Sequence, residues 1–167
     1  MIMLRPQIGM RKRPALNNRR AGVNLAVMAV ETHEFEIETQ GDSHVLNLSD
    51  HVVQHVNAGR ISEGLVTVFV IGSTAGITTT EFESGLVDQD LKAAFENLAP
   101  QEARYRHEET WHDDNGHSHV RASMLGPSLT VPLVNRKLQL GTWQQIVLID
   151  FDTRPRTRRI IVQVIGK

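Results

Sequence analysis

Residues 64–81 read G-L-V-T-V-F-V-I-G-S-T-A-G-I-T-T-T-E. The first eight, Gly64 to Ile71, are a β-branched and aromatic run of the kind that fills a central strand. Gly72-Ser73-Thr74-Ala75-Gly76 then interrupts the run with small residues, and Ile77 to Glu81 resumes extended structure. Two strands joined through a small-residue break place a sheet at the centre of this chain. The break has two uses. Its hydroxyls and backbone N–H groups suit a phosphate, and the same residue types suit a bulge between strands.

Upstream, residues 30–39 alternate strictly, with His33, Phe35, Ile37 and Thr39 on one face and Glu34, Glu36 and Glu38 on the other. A period of two marks a half-buried strand near a sheet edge. Gly41-Asp42-Ser43 turns the chain, and Val45 to Leu48 form a short second strand. Ser49 reads as the N-cap of a helix that runs to Ala58 and buries Val52, Val53 and Val56, with Leu48 and Val53 as its staple. His51 and His55 lie four apart on that helix. H-V-V-Q-H has Val52 where a zinc-protease helix needs a glutamate, so both read as solvated surface histidines.

Downstream of Gly85, the set Val87, Leu91, Ala94, Phe95 and Leu98 follows one helical face, and Pro100 stops it. A histidine-rich loop follows. The last third reads as strands at Leu129–Val134, 138–151 and Ile160–Ile165, with a turn at Asn135-Arg136-Lys137. Strands, two main helices and a strand-rich tail predict an α+β single domain on a mostly antiparallel sheet.

Composition bounds the rest. A chain of 167 residues, 40% hydrophobic and 22% charged, is ordinary for one soluble domain with a real core. No apolar run reaches the roughly 20 residues that cross a bilayer. There is no cysteine, so any metal must be held by nitrogen and oxygen, and a cytoplasmic location is the expectation. Charge is uneven. Residues 1–28 carry Arg5, Arg11, Lys12, Arg13, Arg19 and Arg20 without an acid, and the remainder is net acidic. Residues 1–28 read as a basic, disordered extension and 29–167 as the folded domain. An acid-free, arginine-rich leader also suits a transit peptide or an arm for anionic surfaces, and Met28 is an alternative start. Nucleic acid is not the expected partner.

The chemistry concentrates between residues 105 and 145. His107, His112, His117 and His119 sit in a short window beside Asp113 and Asp114. In an extended segment His117 and His119, flanking Ser118, would face the same side. With His107 brought back, the three offer nitrogen ligands for a divalent metal, zinc or magnesium, with an open position. The alternative is a solvated loop with scattered imidazoles. Trp143 and Gln144 at a strand start suit a planar ligand or a subunit contact. Asp150, Asp152, Arg154, Arg156, Arg158 and Arg159 form a dense polar turn that reads as solvated surface.

Taken in order, Ser73-Thr74-Ala75, Glu81, Asp90, Tyr105, His107, Asn115, His119-Val120-Arg121-Ala122-Ser123-Met124-Leu125-Gly126-Pro127-Ser128, Leu140-Gly141-Thr142-Trp143-Gln144 and Asp152-Thr153-Arg154-Pro155-Arg156 resemble the motifs of the YjbQ family. That family is also called the secondary thiamine-phosphate synthase enzyme family, and the resemblance spans residues 30–167. It implies a homotrimer with polar residues gathered near subunit boundaries. It also implies weak thiamine-phosphate synthase activity, which joins a hydroxymethylpyrimidine diphosphate to a thiazole phosphate and releases pyrophosphate. On that resemblance Glu81, His107 and His119 are the catalytic candidates. Ser73, Thr74, Asn115, Ser123, Trp143, Gln144, Arg154 and Arg156 are the candidates for a small phosphorylated substrate. Two departures stand out: Gly72 replaces the family's histidine, and Ser84-Gly85 stands where Asp-Pro is common. The alternative they raise is a non-catalytic trimer that binds a metal or an anion.

Overall fold

The computed structural model describes residues 27–167. The basic extension expected over residues 1–28 therefore falls almost wholly outside the described residues. The order is β1 (Ala29–Thr39), β2 (His44–Asn47), α1 (Ser49–Ala58), β3 (Gly64–Ile71), β4 (Ala75–Thr80), a π-helical turn (Leu86–Asp90) running into α2 (Leu91–Leu98), α3 (Arg106–Trp111), α4 (Gly116–Leu125), β5 (Ser128–Val134), β6 (Lys137–Leu138), β7 (Gln145–Asp150) and β8 (Arg156–Gly166).

Every strand pair is antiparallel, as the sequence predicts. One sheet has the order β1-β8-β3-β5-β6 and the other β2-β7-β4. Asn135 and Arg136 both have left-handed backbone, φ 50° and 61°, and make the tight two-residue hairpin between β5 and β6 whose twist matches its strands. The two sheets face each other across a core of Val66, Val68 and Val70 from β3, Ile160, Val162 and Val164 from β8, and Ile146 and Leu148 from β7. β7 is buried on both faces. Its alternate residues Val147 and Ile149 pack on Val87, Leu91, Phe95 and Ala122 of the helices beyond. The result is three layers: large sheet, small sheet, helices.

Several local expectations change. Ser49 does not cap α1. Asn47 Oδ1 accepts the Ser49 N–H at 2.9 Å, while the Ser49 hydroxyl accepts the Ile146 N–H at 2.9 Å and so ties the helix to β7. The buried stripe of α1 is Leu48, Val52 and Val56, each one turn apart, and Val53 is exposed. His51 and His55 are not simply solvated. Both rings stack on Phe35 of β1, with centroids 4.8 and 5.4 Å away, and His55 also meets His33. The strand expected over 138–151 is broken, because β6 ends at Leu138 and residues 139–144 turn before β7. Gln144 holds that turn, its Oε1 accepting the Gly141 N–H at 3.0 Å.

The histidine-rich loop is also not a loop. It is two helices, α3 and α4, so among the described residues four α-helices stand where two were predicted. Both are short and carry no strong apolar stripe of their own, so periodicity does not reveal them. No helix among the described residues is long and apolar enough to cross a membrane.

Candidate functional site

Helical geometry sorts the histidines. Residues two apart on an α-helix point about 200° apart, so His117 and His119 of α4 face opposite sides. His117 is 2% exposed; its Nε2 lies 3.3 Å from the Ser118 hydroxyl and its Nδ1 is buried without a hydrogen-bond partner. Burial first, then the neighbouring Arg121 charge, holds the His117 imidazole below its ordinary pKa. His119 turns outward instead and meets His107 of α3, the ring centroids 4.4 Å apart.

Around that pair, His107 Nε2 is 3.5 Å from Asp113 Oδ1. The amide orientation that satisfies Asn115 has it donating to Asp113 Oδ2 at 3.2 Å. The chain reaches this arrangement because His112 takes left-handed backbone, φ 57°, and ends α3 after six residues. Arg121, 1% exposed, locks α4 in place. Its Nε and Nη2 donate to the Ala99 carbonyl at 3.0 and 2.8 Å, and Nη1 donates to Ser43 Oγ at 3.2 Å.

One turn beyond His119, Ser123 donates its hydroxyl to the His119 carbonyl at 2.7 Å. Ser123 and Ala122 line a shallow cleft of about 190 Å³ with Gly72, Ser73, Ala75 and Pro127. The small-residue break after β3 therefore meets the face of α4 that carries Ser123.

Beneath that break lies a buried charge network. Arg158 donates Nε to Asp150 Oδ2 and Nη2 to Asp150 Oδ1, both at 2.7 Å, and Nη2 also donates to Thr74 Oγ1 at 2.8 Å. Thr74 donates onward to Asp152 Oδ2 at 2.9 Å, where Arg156 Nε also donates at 2.9 Å. Asp150, Asp152 and Arg158 are 0, 2 and 7% exposed, which corrects the reading of this turn as solvated surface. Burial works to raise the Asp152 pKa, but the bonds from Arg156 and Thr74 outweigh it and hold the carboxyl below the usual range. A signal for this was present. Arg158 is in phase with Ile160, Val162 and Val164, so a period-two reading carried along β8 turns it inward. Arg154 stays on the surface, 3.9 Å from Asp114.

The remaining candidates sit elsewhere. Ala75 pairs with Asp150 at one end of β4 and Thr80 with Gln145 at the other. Five extended steps separate them, roughly 16 Å. Glu81, Trp143 and Gln144 belong to the far end, where Gln144 Nε2 donates to Thr79 Oγ1 at 2.8 Å and Trp143 is 71% exposed. A groove of about 320 Å³ runs there between β4 and β5, lined by Thr78, Thr79, Thr130, Leu140 and Gln144 among others. Within one chain the structure thus joins His107 to His119 and Ser73 to Ser123. It leaves Glu81 and Trp143 apart from them.

The expected trio of metal ligands does not assemble. Among the described residues no three His, Asp or Glu side chains are grouped to hold a metal ion, because the helix turns His117 inward. Among the described residues of one chain, His117 therefore does not share a ligand set with His107 and His119.

A profile of the family described as UPF0047 protein YjbQ-like matches residues 33–167. The chain belongs to the YjbQ-like UPF0047 family. A UPF0047 protein of Methanothermobacter thermautotrophicus is 37% identical over 140 residues, covering 84% of this chain and 95% of that protein. The UPF0047 protein YugU of Bacillus subtilis is 30% identical over 132 residues, covering 78% of this chain and 96% of YugU. The crystal structure of a YbjQ-like protein of unknown function from Sulfolobus solfataricus superposes with a TM-score of 0.79 at 30% identity, covering 84% of this chain and all of that one. A YjbQ/UPF0047 structure from Clostridium acetobutylicum gives 0.71 at 32% identity, covering 79% and 98%. The YjbQ-like α+β fold expected from the motifs is therefore the fold of this chain.

Proposed function

We propose that this chain is a transferase of thiamine-phosphate synthase type with weak or secondary activity, working as a homotrimer. The observation that carries the reading is the pairing of His107 with His119 on the same side of the molecule as the Ser73–Ser123 cleft. In the reaction, a thiazole nitrogen attacks the methylene carbon of the pyrimidine. The carbon–oxygen bond to the diphosphate breaks, and its electron pair leaves on pyrophosphate. The protein must therefore stabilise charge on the departing diphosphate and hold two flat rings in line. The hydroxyls of Ser73 and Ser123, together with the His107–His119 pair and Arg154, suit the first task. Gln144 and the groove along β4 suit the second with amide, hydroxyl and aliphatic lining, and the indole of Trp143 stands next to Gln144 in the chain.

These two sets lie at opposite ends of β4 in one chain. In the trimer, the Glu81–Gln144 end of one copy meets the His107–His119 face of the next, and the site is complete only between copies. A cytoplasmic location accompanies this reading.

The test is a coupled assay of the pyrimidine diphosphate with the thiazole phosphate. Thiamine phosphate is the expected product, and His119→Ala is expected to abolish it. Product formation unchanged in that variant disposes of the assigned site.

One observation favours a second reading, a non-catalytic trimer that binds an anion. Gly72 has φ +138°, and a Cβ placed there would lie 2.9 Å from Arg158 Nη1, so a side chain at that position strains the backbone and presses on the Arg158 guanidinium. Pyrophosphate binding without any product selects this second reading.

A further inference from the structure

The guanidinium of Arg158 is used on two sides only. Nε and Nη2 are taken up by Asp150 and Thr74, but among the described residues Nη1 makes no hydrogen bond. Nor is it one of the buried polar atoms sealed away without a partner, so solvent reaches it. On that side lies Gly72, whose missing side chain would begin 2.9 Å from Nη1. Its φ of +138° is a conformation that L side chains rarely adopt. Glycine at this position thus leaves a gap in the protein surface over one edge of a buried cation.

The backbone beside that gap is equally unspent. Among the described residues the N–H groups of Gly72, Ser73 and Thr74 donate to no other group, although the Thr74 carbonyl is occupied by the Phe151 N–H at 2.9 Å. Unpaired N–H groups near the surface require an acceptor, from solvent or from a ligand. The N–H groups of Gly72, Ser73 and Thr74, the Ser73 hydroxyl and a guanidinium edge are thus unspent donors at and beside Gly72, with Gly72 and Ser73 exposed and Thr74 buried. The carboxylates of Asp150 and Asp152 do not oppose these donors, because Arg158, Arg156 and Thr74 already hold them.

We propose that Gly72 is a window through which Arg158 Nη1 contacts a bound oxyanion, a phosphoryl group whose other oxygens accept from the backbone N–H groups of residues 72–74 and from Ser73. Arg158 offers rigidity here rather than free charge. Its two-point bond to Asp150 fixes the guanidinium plane, so Nη1 is pre-aimed at the gap. The identity of the ligand as a diphosphate rests on the transferase reading above; the oxyanion site itself does not.

The experiment is calorimetric titration of the full-length protein with inorganic pyrophosphate and, separately, with inorganic phosphate. The wild-type chain is expected to bind pyrophosphate more tightly than phosphate. Gly72→Ala, which puts a methyl group over Nη1, is expected to weaken binding by about tenfold or more. Should Gly72→Ala fail to fold, Ser73→Asp gives the same reading, because Ser73 is exposed and a carboxylate there repels the anion. Circular dichroism confirms the fold of each variant. No binding of pyrophosphate by the wild-type protein at millimolar concentration overturns the proposal, and so does undiminished binding by a folded variant. Turnover is not part of this readout, so a protein that binds pyrophosphate but makes no thiamine phosphate refutes the activity and leaves the window standing.

Discussion

Arg158 and Asp150 form a two-point ion pair, Nε to Oδ2 and Nη2 to Oδ1 at 2.7 Å each, between a strand of the large sheet and a strand of the small one. Neither side chain is more than 8% exposed. The pair therefore clamps the two layers at the end where Gly72, Ser73 and Thr74 turn.

Breaking that clamp from one side leaves a buried charge without its partner. Asp150→Ala is expected to destabilise the fold by about 3–5 kcal/mol. Urea unfolding followed by circular dichroism measures this, and an unchanged midpoint contradicts the clamp.

Stability should also fall on mild acidification, and His117 supplies part of the reason. Burial, then Arg121, keeps its imidazole below the ordinary value of 6.5 in the folded chain. Below 6.5 the unfolded chain takes up a proton that the folded chain does not, so stability is full above that value and declines as pH drops toward the folded pKa. His55, lowered by burial and then by His33 and His51, adds in the same direction. Urea midpoints measured from about pH 7.5 down to about pH 5.5 should show a shallower slope for His117→Gln than for wild type. Equal slopes refute the assignment.

At Gly76 the C-terminal end of α4 lies close against β4. A Cβ there would lie 2.8 Å from the Gly126 carbonyl oxygen and 2.9 Å from Leu125 Cβ. Gly76→Ala is expected to cost about 1–3 kcal/mol through overpacking. Thermal unfolding reports it, and a melting temperature equal to wild type means the helix has room to move.

Assembly has its own test. The chain has no cysteine, so a double variant carrying Ser123→Cys and Trp143→Cys reports one pair alone. Those positions flank opposite ends of β4, beyond the roughly 7 Å that a disulfide spans between Cα atoms. Oxidation should therefore yield covalent oligomers of the 18.7 kDa chain at protein concentrations where the single variants yield few. Only uncrosslinked chains, together with a monomeric native mass, would sink the shared site.

Trp143, 71% exposed, gives a complementary readout. Trp143→Ala should alter the stability of the isolated chain by less than about 0.5 kcal/mol. It should shift the native mass toward the monomer in analytical ultracentrifugation. An unchanged native mass contradicts an interface at Trp143.

Much of this was legible in residue patterns, and the failures share a cause. The alternation of residues 30–39 and the β-branched run of 64–71 give β1 and β3 almost to the residue, because one-sided burial imposes a period of two. The second helix was visible from its apolar spacing. α3 and α4 were not, because His107, His117, Ser118 and His119 carry no apolar rhythm. What makes α4 a helix with a buried face is tertiary: Arg121 reaching Ala99, and Ser118 donating to the Phe151 carbonyl. Ser49 and Asn47 show the same limit at smaller scale. Ser49 is a good cap by type, but the approach of β7 turns its hydroxyl to the Ile146 N–H instead.

By itself, then, the order of residues determined most of the strands, their antiparallel character and the family motifs, since these follow from local burial and spacing; the division into two sheets came only with the fold. Which histidines meet, which arginine is buried and what stands beside Gly72 were decided by the packing of distant segments. Helical phase rotates His117 away from His119, and the closure of two sheets carries Arg158 beneath Gly72. The inward phase of Arg158 is written in β8, but its partners and its place beneath Gly72 come only from the closure of the fold.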